Sequence, residues 1–277
     1  MWRLDKPSLQ AAKDDLNNIV AHCRDIGNED RPAFENLYAE YDHNKGFISE
    51  DYHHDFLIVH PLQAKAMYGQ YKKLGDNQDF NYIREELSAA AGTCPYCGFG
   101  EPVTLDHYMP ESDYNELATC RLNLVPICWK CNHKKHDKDY NGFTHAYYQD
   151  FPNGVTFFKC HVDANAEGII SFEFYVDGEN LDRALVEKLE NQIRVIELNK
   201  RLNKECITFI TSYFYLESLE NNEALKFFIS DRLKKAKDSF GNNDWHTALL
   251  QGLLDCDMFD VTCLKHFLGK NKKKNLV

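Results

Sequence analysis

The chain contains no run of about 18 apolar residues, the length that would cross a bilayer, and its opening MWRLDKPSLQ lacks the basic and apolar regions of a secretory leader. These absences argue against a membrane span or export, so the expectation is a soluble, cytoplasmic protein with no membrane partner. No internal repeat and no low-complexity linker appears, which excludes a solenoid and a tethered array. A disulfide framework is missing as well. Of ten cysteines, four fall into two tight pairs and the rest, Cys23, Cys120, Cys160, Cys206, Cys256 and Cys263, are scattered as core or boundary residues are. A basic excess is the most informative absence. The chain has 32 Lys and Arg against 43 Asp and Glu, a net charge of -11, whereas a protein that grips a nucleic-acid backbone alone usually carries a basic face.

What is present is a globular composition, 43% hydrophobic over 277 residues, enough for one large core or several small units. The periodicity predicts an α+β protein, predominantly helical, with four parts. Residues 1–90 read as helices. Leu16, Ile19, Val20 and Cys23 mark one from Leu9 to about Arg24 with Ser8 as N-cap. A second starts near Arg31-Pro32 and is broken at Gly46, and another covers Phe80 to Ala91. Asp51, His53, His54 and Asp55 read as a solvated polar loop. Residues 91–140 hold two short strands, Pro102 to Asp106 and Leu122 to Val125, and a helix from Trp129 to about Lys138. Residues 141–180 hold a β hairpin made of VTFFKCHVD and IISFEFYVDG. Residues 181–277 are helical, starting with a long helix that carries Leu185, Leu189, Ile193, Ile196 and Leu198 on one face, then helices over Glu205–Leu219, Glu223–Ala236 and Trp245–Leu254. The chain ends in a short basic tail, LGKNKKKNLV.

The chemistry concentrates between Cys94 and Lys138. Cys94 with Cys97, and Cys128 with Cys131, are Cys-x-x-Cys knuckles, each able to present two thiolates to one ion, so that two of them close a structural zinc site. The 30 residues between Cys97 and Cys128 form an insert larger than in common ribbons. That insert carries Asp106 and His107, adjacent at the end of a strand, where a carboxylate can order a cation and an imidazole can activate a water. Hard divalent ions favour carboxylate and amide oxygens, so Asp106 and Asn132 make a sparse magnesium or manganese site. His136, four residues on, shares the helix face of Asn132 and can replace or supplement it. Lys134, Lys135 and Arg121 are the cations within reach of a phosphate.

Asp-His, an Asn 16 residues later, and a second Asn nine further on inside Cys-x-x-Cys-Asn-x-x-Lys resemble the HNH, or ββα-metal, endonucleases in their Asn-terminated form. The resemblance implies a zinc-stapled ββα-metal centre in which His107 is the general base, Asp106 and Asn132 hold one magnesium ion, and Asn123 pins the loop that orients His107. Lys135 falls on the lysine of that motif, which favours it for the phosphate. The implied substrate is nucleic acid, DNA first.

The layout of a helical unit, knuckle stretch, hairpin and helical region containing Ile196-Glu-Leu-Asn-Lys-Arg-Leu is similar to the Septu-type anti-phage nucleases and their retron-associated relatives. That similarity implies a partner ATPase of ABC type. Other readings stay open: an HNH nuclease of a retron, restriction or homing setting, one acting on RNA, or a zinc-stapled interaction module without catalysis.

Overall fold

The structure, a computed structural model, describes residues 1–136, 140–214 and 220–272. It is α+β and mostly helical, and the chain divides into two compact units, Trp2–Phe151 and Pro152–Val277. The segments read separately as 1–90 and 91–140 thus fall within one unit.

In the first unit, α1 (Leu9–His22) starts where Ser8 Oγ accepts from the Ala11 N–H at 3.1 Å and buries Leu16, Ile19 and Val20. Helix α2 (Arg31–His43) has Pro32 in its first turn and buries Phe34, Leu37, Tyr38 and Tyr41. The polar residues Asp51 to Asp55 lie within α3 (Glu50–Val59), capped by Ser49, and are helical, not loop. Their apolar partner is Phe56, whose ring meets Phe34 edge-on, 5.2 Å between centroids. His60-Pro61 separates α3 from α4 (Pro61–Tyr71), with proline at the first helical position, where its missing N–H costs nothing. Helix α5 (Asn81–Ala91) leads into β1 (Thr104–His107) and β2 (Leu124–Ile127), an antiparallel pair with Asp106 opposite Val125 and His107 opposite Leu124. Both strands lie about two residues beyond the sequence expectation, which brings His107 into the ladder. Helix α6 (Trp129–Lys135) follows, and His136 terminates it at φ 44°. The remainder of the helix expected to reach Lys138 lies outside the described residues.

In the second unit, β3 (Phe158–Ala164) and β4 (Ile170–Val176) form the expected hairpin. Its aromatics divide by the two-residue period of a strand: Phe158, Phe172 and Phe174 are buried, while Tyr175 is exposed. The long helix expected through Leu198 is instead two, α7 (Arg183–Val195) and α8 (Leu198–Tyr213), because Glu197 takes a left-handed conformation at φ 50°. The break has a use. It brings Asn199 against β4, where its side chain accepts from the Phe174 N–H at 2.6 Å and donates to the Phe174 carbonyl at 2.9 Å. Asn203 donates to the Phe172 carbonyl at 3.0 Å, so two asparagines one turn apart satisfy the outer edge of the hairpin, which would otherwise be open. Residues 215–219 of the helix expected over Glu205–Leu219 lie outside the described residues.

Helices α9 (Asn222–Phe240), α10 (Trp245–Asp255) and α11 (Val261–Lys272) complete this unit. The sequence reading missed α11, although Val261, Leu264, Phe267 and Leu268 are buried at helical spacing. Helix α10 packs on β3 at Gly252, where a Cβ would lie 2.4 Å from the Cys160 carbonyl oxygen. The neighbour is backbone and cannot swing away, so Gly252→Ala should destabilise this unit by about 1–3 kcal/mol, the usual cost of overpacking. Chemical denaturation monitored by far-UV circular dichroism measures it.

Candidate active site and zinc centre

Two short strands cannot hold a precise site by themselves, and three sets of contacts supply what they lack. The first is the cysteine cluster. The sulfurs of Cys94, Cys97, Cys128 and Cys131 lie within 4.8 Å of one another, all four residues buried. Cys97 Sγ and Cys128 Sγ stand 3.8 Å apart. That is too far for a disulfide, whose sulfurs bond at about 2.05 Å, but it matches the edge of a tetrahedron with Zn–S bonds of about 2.3 Å. The cluster therefore fits one zinc ion. Contact with Cys131, then Cys94 and Cys97, holds the Cys128 thiol far below the ordinary range, whereas contact with Cys128, then Cys94 and Cys97, pushes Cys131 far up. Such a shared proton set is what a cation displaces.

Gly98 turns the first knuckle at φ 78°, and its N–H donates to the Cys94 carbonyl at 2.8 Å. Gly100 then passes so close to the cage that a Cβ would lie 2.7 Å from Cys128 Sγ and 3.2 Å from Cys97 Sγ. Cys128 is also the N-cap of α6, so the cage fixes the start of the helix as well as the end of β2.

The second set is built on Asn123, which is fully buried. Its Nδ2 donates to the Met109 carbonyl at 3.0 Å and towards that of Leu117 at 3.5 Å, while its Oδ1 accepts from the Met109 N–H at 2.8 Å. Tyr41 donates its hydroxyl proton to the same Oδ1 at 2.9 Å. The direction of that bond follows from its neighbours. His145 Nδ1 accepts from the Tyr147 N–H at 3.2 Å, so its proton sits on Nε2, which donates to Tyr41 Oη at 3.0 Å. A chain of single-direction bonds thus runs from the Tyr147 backbone to Asn123 and pins the loop from Met109 to Leu117. Asn123 does not line the cavity described below, so its place is in positioning.

The third set concerns His107. Ala118, just past that pinned loop, offers a carbonyl 2.8 Å from His107 Nε2. A carbonyl only accepts, so Nε2 carries the proton of the neutral ring and Nδ1 carries the lone pair. Nδ1 lies 3.4 Å from Glu111 Oε2, and Tyr71 meets the ring edge-on with centroids 4.4 Å apart. Burial is the main cause that pushes the imidazole down to about 4, with the Ala118 bond opposing and the Lys135 charge assisting.

Asp106 is buried, and burial pushes its carboxyl above the usual range against the pull of Lys135. Its Oδ1 accepts from Lys135 Nζ at 3.0 Å, and the fully buried Tyr96 hydroxyl also pulls its carboxyl down. A carboxylate and an amide on one cavity wall are the kinds of group a hard divalent cation takes. Asn132 directs its NH2 towards the Leu105 carbonyl at 3.5 Å, which leaves its amide oxygen as the group to face an ion. Asp106, His107, Asn132 and His136 all line one cavity of about 520 Å3, together with Glu111, Tyr68, Tyr71, Trp129 and His133. The residues present therefore fit a hard divalent cation at Asp106 and Asn132, with His136 on the same cavity wall.

Two predicted residues are placed elsewhere. Lys135 is 1% exposed, and its ammonium is occupied by Asp106 and, at 3.2 Å, by the His107 carbonyl. Arg121 is 8% exposed and clamps Asp15 with two nitrogens, the Nη2 bond being 2.8 Å, while Nη1 reaches Glu86 at 3.1 Å. Neither lines the cavity, so these cations hold the fold together where the sequence reading had them meeting phosphate. The physical reason is burial: each charge answers a buried carboxylate that would otherwise be uncompensated. Residues that sequence reasoning missed are Glu111, Tyr71, Trp129 and the Tyr41–His145 pair. Only Glu111, four positions after His107, left any local trace.

The model of the HNH endonuclease family matches residues 94–138, the stretch that carries the four cysteines and most of the cavity wall. No curated protein and no solved structure matches the chain. An HNH endonuclease domain implies a nuclease acting on nucleic acid.

The cage should hold about one zinc per chain. Gly100→Ala should lower the zinc content measured by elemental analysis of the purified protein and make the remaining metal easier to strip with a chelator. Full zinc retention in that variant would show that the cage tolerates the added methyl.

Proposed function

We propose that the chain is a metal-dependent endonuclease that hydrolyses phosphodiester bonds in nucleic acid, DNA first, with His107 as general base. The observation that carries this reading is the direction of the His107 ring. With Nε2–H held by the Ala118 carbonyl, Nδ1 is the basic nitrogen, and it shares a cavity with Asp106. Geometry comes first for a general base. In this reading Nδ1 takes the proton of the attacking water, and Glu111, at 3.4 Å, stabilises the resulting imidazolium. Asp106 and Asn132 would hold a magnesium or manganese ion, with His136 to supplement them. The chemistry that ion supplies when bound is neutralisation of charge on the leaving oxygen. Lys135 keeps Asp106 ionised and fixed through Oδ1, and Asn123 keeps the loop that delivers Ala118 in place.

We further propose that this nuclease is the effector of an anti-phage system of Septu type, working with an ABC-type ATPase. The support is the order of its parts and its charge. With a net charge of -11 the chain repels DNA at long range, and among the described residues the cavity is lined by no Lys or Arg. A basic partner surface would deliver the substrate and keep the nuclease restrained without it. Strong, metal-dependent plasmid degradation by the purified chain alone at physiological salt would count against the partner. An ATPase reading frame beside this gene would favour it, and a reverse transcriptase as well would point to the retron setting.

His107→Ala should lower cleavage by about 100- to 10,000-fold, the usual contribution of a general base, with zinc content and circular dichroism unchanged. The assay is plasmid and oligonucleotide cleavage at low ionic strength with added magnesium. Retained cleavage in the variant would remove His107 from the mechanism and leave the zinc-stapled interaction module as the better reading.

A further inference from the structure

The cavity that holds His107 is lined in part by aromatic rings. Trp129 is the first residue of α6, directly after the zinc-cage residue Cys128, so its backbone is fixed by the cage. Yet its side chain is 59% exposed. The indole lies parallel to the ring of His133 one turn later, with 4° between planes and centroids 5.0 Å apart. Tyr68, on α4, is 39% exposed and lines the same cavity. Isolated exposed aromatics are common on protein surfaces and need no explanation. A pair of parallel rings standing at the mouth of the cavity that holds Asp106 and His107 is a different matter, because flat, rigid, half-hydrated rings are what a nucleobase stacks on.

The electrostatics point the same way. A duplex is recognised chiefly through its phosphates by Lys and Arg, and among the described residues this cavity has none, while Asp106 and Glu111 contribute carboxylates. Bases within a duplex have both faces covered by their neighbours, so a ring platform gains contact only with a base that is unpaired or drawn out of the stack. We infer that Trp129 and His133 form a stacking platform for an unpaired nucleobase beside the bond that is cut, which makes single-stranded or locally unpaired nucleic acid the substrate class of this site. The inference rests on the nuclease reading above.

The test uses the full chain carrying His107→Ala, which binds without cutting, and fluorescein-labelled oligonucleotides in three forms: single-stranded DNA, single-stranded RNA and a blunt DNA duplex of the same sequence. Fluorescence anisotropy should show tighter binding of a single strand than of the duplex. Adding Trp129→Ala should weaken single-strand binding by about 5- to 150-fold, which corresponds to about 1–3 kcal/mol for one stacked base, and should leave the weak duplex binding unchanged. Trp129→Phe should keep most of the affinity, and zinc content checks the fold of each variant. The DNA and RNA arms tell which sugar the site prefers. Undiminished single-strand binding by the Trp129→Ala variant, or duplex binding as tight as single-strand binding, overturns the platform. Cleavage by the chain with His107 intact separates the two readings. Duplex cleavage indifferent to Trp129→Ala would keep the nuclease and overturn the platform. Single-strand binding through Trp129 without any cleavage would keep the platform and overturn the nuclease.

Discussion

The site depends first on the four-cysteine tetrahedron. Two four-residue strands and a seven-residue helix are too small to choose one arrangement by burial of apolar surface, and metal binding supplies free energy that such elements cannot supply for themselves. The cage joins the turn at Gly98, the end of β2 and the first turn of α6, which are the three points that set the angle between sheet and helix. Everything that faces the cavity from α6, Trp129, Asn132 and His133, inherits its position from that joint. Gly100 shows how closely the chain is drawn in, since the space for a methyl group is filled by sulfur.

Inside that frame the polar groups are arranged by what each must satisfy. Asn123 is surrounded by obligatory backbone donors and acceptors of the loop it holds, and the Tyr41–His145 chain fixes which way its amide points. The Ala118 carbonyl then determines the tautomer of His107. On the other side, Lys135 answers one oxygen of Asp106. A lysine placed at the surface would meet phosphate. The same lysine, buried, instead pulls the Asp106 carboxyl down against the burial that raises it.

The sequence disclosed the parts of this site whose chemistry is tied to spacing. The two knuckles are legible because two thiolates on one ion need a tight turn, and the His107, Asn123 and Asn132 intervals are legible through their resemblance to the HNH motif. Helix α1 is readable from its apolar period and its Ser8 cap, and α2 from Pro32 in its first turn and its inward Phe34, Leu37 and Tyr38. Long-range matters were not. Tyr71 and Tyr41 reach the site from helices with no local mark of that role, and the burial of Lys135 and Arg121 depends on Asp106 and Asp15, distant in the chain. Glu197 breaks the expected long helix because Asn199 and Asn203 must meet the edge of β4, a tertiary demand that overrides an unbroken helical period. Helix α11 had its signal in Val261, Leu264, Phe267 and Leu268, masked by the basic run that follows.

The chain is acidic on balance, and no Lys or Arg lines the described cavity wall. The account assigns two metals two jobs, zinc to the frame and a hard divalent ion to the reaction, and one titration separates them most directly. Purified chain is dialysed free of loosely held ions, its zinc is counted, and oligonucleotide cleavage is followed as magnesium is added. The account predicts about one zinc retained per chain, no cleavage before magnesium is added, and cleavage that saturates with magnesium while the zinc count stays constant. Cleavage by the zinc-loaded chain without any added divalent ion would contradict it.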